Sequence, residues 1–452
     1  MTRSPVRTLA TRVAALTTAL ATALAAVLAG MVLTAPAQAA NPVTPGDLTG
    51  HGFDQCLAPD QGEMDTWMRN SPFLAVGIYI SGASRGCRYQ PNLTPTWVRK
   101  QLRRGWRLLP ITLGPQASCH PRFPRYGNDP VISPAPGNGS YPTARKQGRQ
   151  EASRAVTTAR ELGISPGSTL WYDLEGFDAT NTHCRESSLR FLHAWTNRVH
   201  KLGYVSGVYS SAASGIKMLD DARVERPGIS QPDRVWIADW DGRANTSSRF
   251  VRSDGWLPGN RMKQYRGDHR ETWGGVTINI DSNYLDLGNG TRPRPAARSC
   301  GTRINFGVYR VIKPRRPRPA QLRALQCMLR HKGFYEGAIT GSYDRSTRQA
   351  VRKFRSTRPG GDGGHRWTRR NWMQLHAIGS RRVLKVGSNG ARVRRLQRVL
   401  NSAANNRLAI TAVFDEETEA ALEAYQREVR VPVDGIVTGQ EWRLLKKGIP
   451  RR

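Results

Sequence analysis

Over residues 46–288 the chain alternates eight short β-prone runs with helical or loop-forming stretches, and this alternation limits the possible folds more than any other feature. The runs end near Asp54, Ile80, Thr112, Glu175, Tyr209, Asp239, Tyr265 and Asp281. Parallel strands need a helical crossover between them. Helical spacing appears where crossovers are required: Ala152, Ala155, Val156 and Ala159 within 143–162, and less regularly Leu189, Leu192, Ala194, Trp195 and Val199 within 186–202. Eight such units in about 240 residues predict an α/β chain with a (β/α)8 TIM-like barrel over residues 46–290. The stretch 115–142, dense in Pro, Gly and Asn, reads as a long loop after the third strand, at the end of the barrel where ligands bind.

The fourth run, Thr169-Leu170-Trp171-Tyr172-Asp173-Leu174-Glu175, ends in two carboxylates spaced i, i+2. On a strand this spacing sends both to one face, about 7 Å apart along the backbone. Asp54 and Asp281 sit in the first and eighth runs, which a closed barrel makes neighbours, so four acids are expected at one mouth. Crowded carboxylates raise the proton affinity of whichever is most desolvated, and a protonated acid near neutral pH is what departure of a sugar leaving group requires. Asp239 also ends a run, and Trp171, Trp236 and Trp240 are expected stacking surfaces for sugar rings. The histidines show no His-x-x-His or His-Glu-x-x-His spacing, which argues against metal-assisted hydrolysis, and Ser81-Gly82 and Ser210-Ser211 lack a nucleophile-elbow context. No metal and no cofactor are expected.

Taken in order, Gly52-Phe53-Asp54, Tyr172-Asp173-Leu174-Glu175, Gly207-Val208-Tyr209, Trp236-Ile237-Ala238-Asp239-Trp240, Gln264-Tyr265 and Ile280-Asp281-Ser282-Asn283 resemble the glycoside-hydrolase-like family first catalogued as domain of unknown function 1906. That family is similar to the family-25 lysozymes, which cut peptidoglycan between N-acetylmuramic acid and N-acetylglucosamine. The resemblance implies Glu175 as general acid and Asp173 as the carboxylate that steadies the substrate's own N-acetyl group in a substrate-assisted retaining mechanism. It implies Asp54 and Asp281 as supporting acids and the Gln264-Tyr265 pair beside the sugar. Trp240 and Tyr79 complete the expected substrate contacts. The chain departs from the lysozymes at Asp239-Trp240, where they place a tyrosine after a variable residue, and in the long loop 115–142. The expected activity is that of a muramidase-like wall hydrolase. The alternative is an inactive protein that uses the barrel as a glycan receptor.

The first residues read as a secretory signal over 1–39: Arg3, Arg7 and Arg12, an apolar run, then Ala35-Pro36-Ala37-Gln38-Ala39. Without a twin arginine, general export is expected, followed by a secreted, wall-associated and monomeric life with no membrane contact after cleavage. The six cysteines suit an oxidising compartment and allow 15 pairings, of which Cys300 with Cys327 is favoured. A Pro/Arg-rich stretch, 291–319, reads as an extended spacer.

Beyond the spacer the chain repeats with an offset of 71: Leu325-Gln326 returns as Leu396-Gln397, Asp344 as Asp415, Thr347 as Thr418 and Phe354 as Tyr425. Two small all-α three-helix modules are expected, at 320–379 and 383–449. They resemble the peptidoglycan-binding-like domains that accompany wall hydrolases, through Leu-Gln, the Asp-x-x-Thr turn and Val433-Asp434-Gly435-Ile436-Val437-Thr438; the first copy reads Gly360-Gly361-Asp362-Gly363-Gly364 in place of that last motif. The net charge of +35 is uneven, with 33 Lys and Arg against 11 Asp and Glu from residue 301 onward. Such a field draws polyanions. For an exported chain the expected partner is peptidoglycan or another anionic wall glycan and not nucleic acid.

Overall fold

The computed structural model describes residues 40–120, 128–288, 298–360 and 363–449. The expected signal segment 1–39, part of the long loop and part of the spacer lie outside the described residues. No helix among the described residues is long and apolar enough to cross a membrane.

Eight strands close into one barrel in sequential order: β1 (Thr49–Asp54), β2 (Ala75–Ser81), β3 (Arg107–Thr112), β4 (Thr169–Leu174), β5 (Val205–Ser211), β6 (Arg234–Ala238), β7 (Arg261–Trp273) and β8 (Val276–Asp286). The TIM-like architecture is the one expected, but the last strand runs the other way. β1 to β7 pair in parallel, whereas β8 is antiparallel to both β7 and β1. The cause is local. Trp273 and Val276 flank Gly274-Gly275, with φ of 59° and 81°, and a two-residue loop with both φ positive closes an antiparallel hairpin.

Four barrel helices, α1 (Gln61–Asn70), α2 (Pro95–Arg104), α3 (Pro142–Glu161) and α4 (Thr182–Lys201), precede a π-turn at Ala212–Ile216 that runs into α5 (Lys217–Glu225). α3 presents Ala144, Gly148, Ala152, Ala155 and Ala159 as a buried stripe of small residues. The approach is close: a Cβ on Gly148 would lie 2.3 Å from the Phe191 carbonyl oxygen of α4. On β4 the alternation is complete. Tyr172 packs outward on Phe191 and Trp195, with ring centroids 4.7 and 5.0 Å away, while Trp171 meets Trp236 edge-on at 5.6 Å. Trp171 and Trp236 are 0% and 1% exposed, so they fill the barrel and offer no stacking surface to a sugar.

The three cysteine pairs are Cys56–Cys87, Cys119–Cys184 and Cys300–Cys327. Residues 298–318 do not stand off as a spacer. A short ribbon, β9 (Arg298–Ser299) with β10 (Thr302–Arg303), leads into Ile304, Tyr309 and Ile312, which are buried in the core of the first repeat.

Each repeat has three helices: α6 (Pro319–His331), α7 (Arg345–Ser356) and α8 (Arg369–His376), then α9 (Ala391–Ala404), α10 (Glu416–Val429) and α11 (Gly439–Lys447). The repeated polar residues are structural. Gln326 Nε2 donates to Thr340 Oγ1, the Ser342 carbonyl and Thr347 Oγ1, and its Oε1 accepts from Gly341 N–H. Gln397 repeats the pattern with Thr411, Val413, Thr418 and Ala412. Asp344 and Asp415 cap α7 and α10 through the N–H groups of Thr347 and Thr418. Both glutamines are fully buried. Gln397→Leu strands the Ala412 N–H and removes one of the donors to the Val413 carbonyl, and a loss of about 2–3 kcal/mol in the second repeat is expected by denaturant titration.

The second repeat docks under the barrel, against the end of β1 opposite the mouth. Asn389 Nδ2 donates to the Asp47 carbonyl at 2.8 Å, and Gly387 lies so close to Leu48 and Thr49 that a Cβ there would fall 2.7 Å from each. Lys385 is buried at this junction, its Nζ donating to the carbonyls of Met68 (3.0 Å) and Ser71 (2.8 Å) and lying 5.3 Å from the centre of the Trp106 ring.

Candidate functional site

At the mouth, a cleft of about 610 Å³ is lined by Asp54, Asp173, Glu175, Asp268 and Asp281, with Tyr79, Tyr209, Trp240, Gln264 and Arg85 among the others. All four acids singled out from the sequence line it. They arrive by different routes. Asp54 ends β1; Asp173 is the inward residue before the end of β4, and Glu175 follows two positions on, just past the strand. Asp281 lies mid-strand on the antiparallel β8 and reaches the mouth because its register sets it opposite Asp54. Gly77 of β2 leaves the room that Asp54 occupies: a Cβ there would come within 2.4 Å of the Asp54 Cβ.

Gln264 connects these groups. Its Oε1 accepts from the Tyr209 hydroxyl and the Trp240 indole, both at 2.9 Å. An indole N–H only donates, so the amide orientation is fixed and Nε2 faces carboxylates, 3.3 Å from Asp54 Oδ1 and 3.2 Å from Asp281 Oδ2. Asn283 repeats the arrangement one layer deeper, accepting from Trp236 Nε1 at 2.7 Å and donating to Asp54 Oδ1 at 2.6 Å. The Tyr79 hydroxyl points at Asp173 Oδ2 from 3.4 Å. Gln116 secures the end of β4: its Nε2 donates to the Asp173 carbonyl and its Oε1 accepts from Glu175 N–H, both at 2.9 Å.

Burial, and then the neighbouring Asp281 carboxylate, push the Asp54 carboxyl well above the usual range, against the opposing hydrogen bonds from Asn283 and Gln264. Asp281 is raised as well, by burial first, while the Asp268 N–H holds it back. Tyr209 and Tyr79 are both driven up by burial and then by the surrounding carboxylates, so both stay protonated donors.

A raised carboxyl binds its proton in the folded state while the unfolded chain has released it. Stability therefore falls as pH rises from the unfolded value near 4 through the folded value. Asp54→Asn keeps the acceptor at Oδ1 and removes that cost. The expected result is a variant at least as stable as wild type at pH 7, with a flatter stability profile above pH 4 in thermal melts.

The substrate contacts expected from the sequence divide. Trp240 is 62% exposed at the rim, and Tyr79 and Gln264 line the cleft. Tyr265 is not among the lining residues; it follows Gln264 on β7 and so faces the other side of the strand, toward Ser282 and Glu271. Asp239 bonds Ser248 Oγ at 2.7 Å and does not line the cleft. Tyr209, Asn283, Gln116 and Arg85 were not singled out as site residues from the sequence. Tyr209 and Asn283 had a readable signal, because each alternates in register with an inward residue, Asp173 opposite Tyr209 and Gln264 opposite Asn283. Arg85 and Gln116 come from loops and had none. Among the described residues, one grouping has metal-ligand chemistry, Cys300, Cys327 and His331, and its two sulfurs are bonded to each other.

A family profile described as Rv2525c-like, glycoside hydrolase-like domain matches residues 65–285, and one described as a peptidoglycan binding domain matches 318–357 and 389–445. No curated protein matches. Among solved structures, an uncharacterized protein of B. stearothermophilus is 18% identical, with 52% of this chain and 95% of that one covered and a TM-score of 0.33. The Mycobacterium tuberculosis Tat-secreted protein Rv2525c is 12% identical, with 53% and 96% covered and a TM-score of 0.34. The modular autolysin LytC of Streptococcus pneumoniae is 11% identical, with 52% and 46% covered and a TM-score of 0.32. The chain thus carries a glycoside-hydrolase-like domain of the Rv2525c-like kind, followed by peptidoglycan-binding repeats.

Proposed function

We propose that this protein is a secreted, wall-associated glycoside hydrolase of muramidase type, held on peptidoglycan by its C-terminal repeats. One observation carries the reading: five carboxylates and a single guanidinium line a cleft that an exposed tryptophan borders, on the face where barrels place their chemistry. Glu175, half-buried and fixed through its backbone by Gln116, protonates the glycosidic oxygen. The substrate's acetamido oxygen closes on the anomeric carbon as the bond to the leaving sugar breaks, and Asp173 accepts a hydrogen bond from the acetamido N–H. Water then opens the ring with Glu175 as base, and configuration is retained. Asp54 and Asp281 hold Gln264, which sets Tyr209 and Trp240 around the sugar.

The repeats contribute by mass action, since tethered weak modules raise the local concentration of the barrel at a polymeric wall. The test is incubation of the full chain with purified peptidoglycan, with reducing ends and the anomeric configuration of the first product read by NMR. Retained-anomer reducing ends support the proposal. Binding without any release leaves the second reading, a glycan receptor, which the near-complete burial of Asp54 and Asp173, 3% and 2% exposed, favours.

A further inference from the structure

On the flank of the barrel, away from the acidic cleft, a second groove of about 590 Å³ has the opposite character. One wall is α1 and α2, contributing Arg69, Arg99, Lys100, Arg103 and Arg104; the other is the connector between the repeats, contributing Arg381 and Arg382. The single carboxylate in the lining, Asp65, is taken by Arg104 at 2.6 Å. Among the described residues no other acid pairs with the groove's cations.

Helix dipoles account for part of this. Arg69, Arg103 and Arg104 occupy last turns, where cations are ordinary. They do not account for Arg99 and Lys100 farther back on α2, nor for Arg381 and Arg382, which lie on no helix. The repulsion continues past the groove. Burial first, and then Arg392, lower the Arg382 guanidinium, and Lys446 is lowered by burial and then by Arg381, Arg395 and Arg358. Cations gathered from two domains, without acids to match, are at lower energy with an external anion between them. Most are guanidiniums, whose forked donors fit phosphate oxygens.

We infer that this groove binds an anionic wall polymer of phosphodiester-linked polyols, threading between the barrel and the connector. The choice of polymer rests on the wall-binding reading of the repeats; the groove itself is independent of the chemistry at the mouth. Such a ligand would bridge the barrel and the second repeat, and its affinity would fall steeply with salt.

The test uses the full chain and poly(glycerol phosphate) as probe in a fluorescence titration at 0.1 M salt. The paired substitution Lys100→Glu and Arg381→Glu changes one exposed residue on each wall. A control, Arg345→Glu with Arg348→Glu on exposed positions of α7, makes the same change in net charge elsewhere. The groove variant is expected to lose at least about tenfold in affinity and the control less than about twofold, with both melting within a few degrees of wild type. Equal losses would reduce the groove to a diffuse field and overturn the proposal, as would no binding by wild type. An oligothymidylate bound more tightly than the polyol phosphate through the same residues would overturn the choice of polymer. Pelleting with phosphate-free peptidoglycan is expected to be unchanged in the groove variant; loss of pelleting by wild type would instead count against the wall reading.

Discussion

Glu175→Gln is expected to lower release of reducing ends from peptidoglycan by about 10²–10⁴-fold, the range that positioned proton transfer contributes, while pelleting with the wall stays as in wild type. The glutamine keeps the size of the side chain, and the substitution leaves in place the backbone N–H that this position donates to Gln116 Oε1. Structure and binding should therefore survive, and only the proton is lost. The leaving group offers a second reading of the same residue. An aryl glycoside with an acidic phenol departs without protonation, so Glu175→Gln should cost release of the phenol in the first turnover far less than it costs peptidoglycan. Asp173→Asn makes the contrast: it acts on closure by the acetamido group and should slow both substrates alike. A loss equal for both substrates in Glu175→Gln would remove it from the role of acid, and no loss in either would remove it from the reaction.

Most of the barrel was legible because inward and outward residues on a strand differ in kind. Trp171 and Asp173 face in while Tyr172 lies on Phe191 and Trp195, and that alternation is written in the order of the residues. The same rule explains Tyr265, which cannot share a face with Gln264, its neighbour on a strand. The direction of β8 was legible too, in Gly274-Gly275 between β-prone residues, but reading every run as a parallel strand passes over a hairpin signal. Asp281 still arrives at the mouth because register, not strand direction, sets its height beside Asp54.

What the sequence withheld was long-range. Gln116 sits in the long loop 115–142 and Arg85 in an unremarkable turn, and only the closed barrel brings them to β4 and the cleft. The repeat motifs had the opposite fate. Leu-Gln and Asp-x-x-Thr were visible at once, yet their side chains satisfy backbone groups inside each module and carry its fold.

The docking of the second repeat beneath the barrel also had no local signature, and Lys385 supplies its clearest consequence. Burial lowers its ammonium from the ordinary lysine value to about 7, with Asp434 only partly opposing. Between pH 7 and 10.5 the unfolded chain therefore holds a proton that the folded junction has given up, so folding stability rises with pH across that window and is flat below it. The slope is at most about 1.4 kcal/mol per pH unit. Because the chain is strongly basic, alkaline pH also relaxes general repulsion, and wild type alone does not isolate the effect. Lys385→Met supplies the reference: it keeps the apolar stem beside Trp106 and removes the donor that serves the Met68 and Ser71 carbonyls. At pH 10 wild type is expected to be the more stable by about 2–3 kcal/mol, since neutral amine still donates to both carbonyls. At pH 7 the difference should shrink or reverse, as the cost of burying the charge offsets those bonds. Denaturant titrations of both proteins at four pH values give the difference directly. A gap that is constant from pH 7 to 10 would mean that the junction holds Lys385 in one protonation state throughout, and that the barrel and repeat are joined without any coupling to proton uptake.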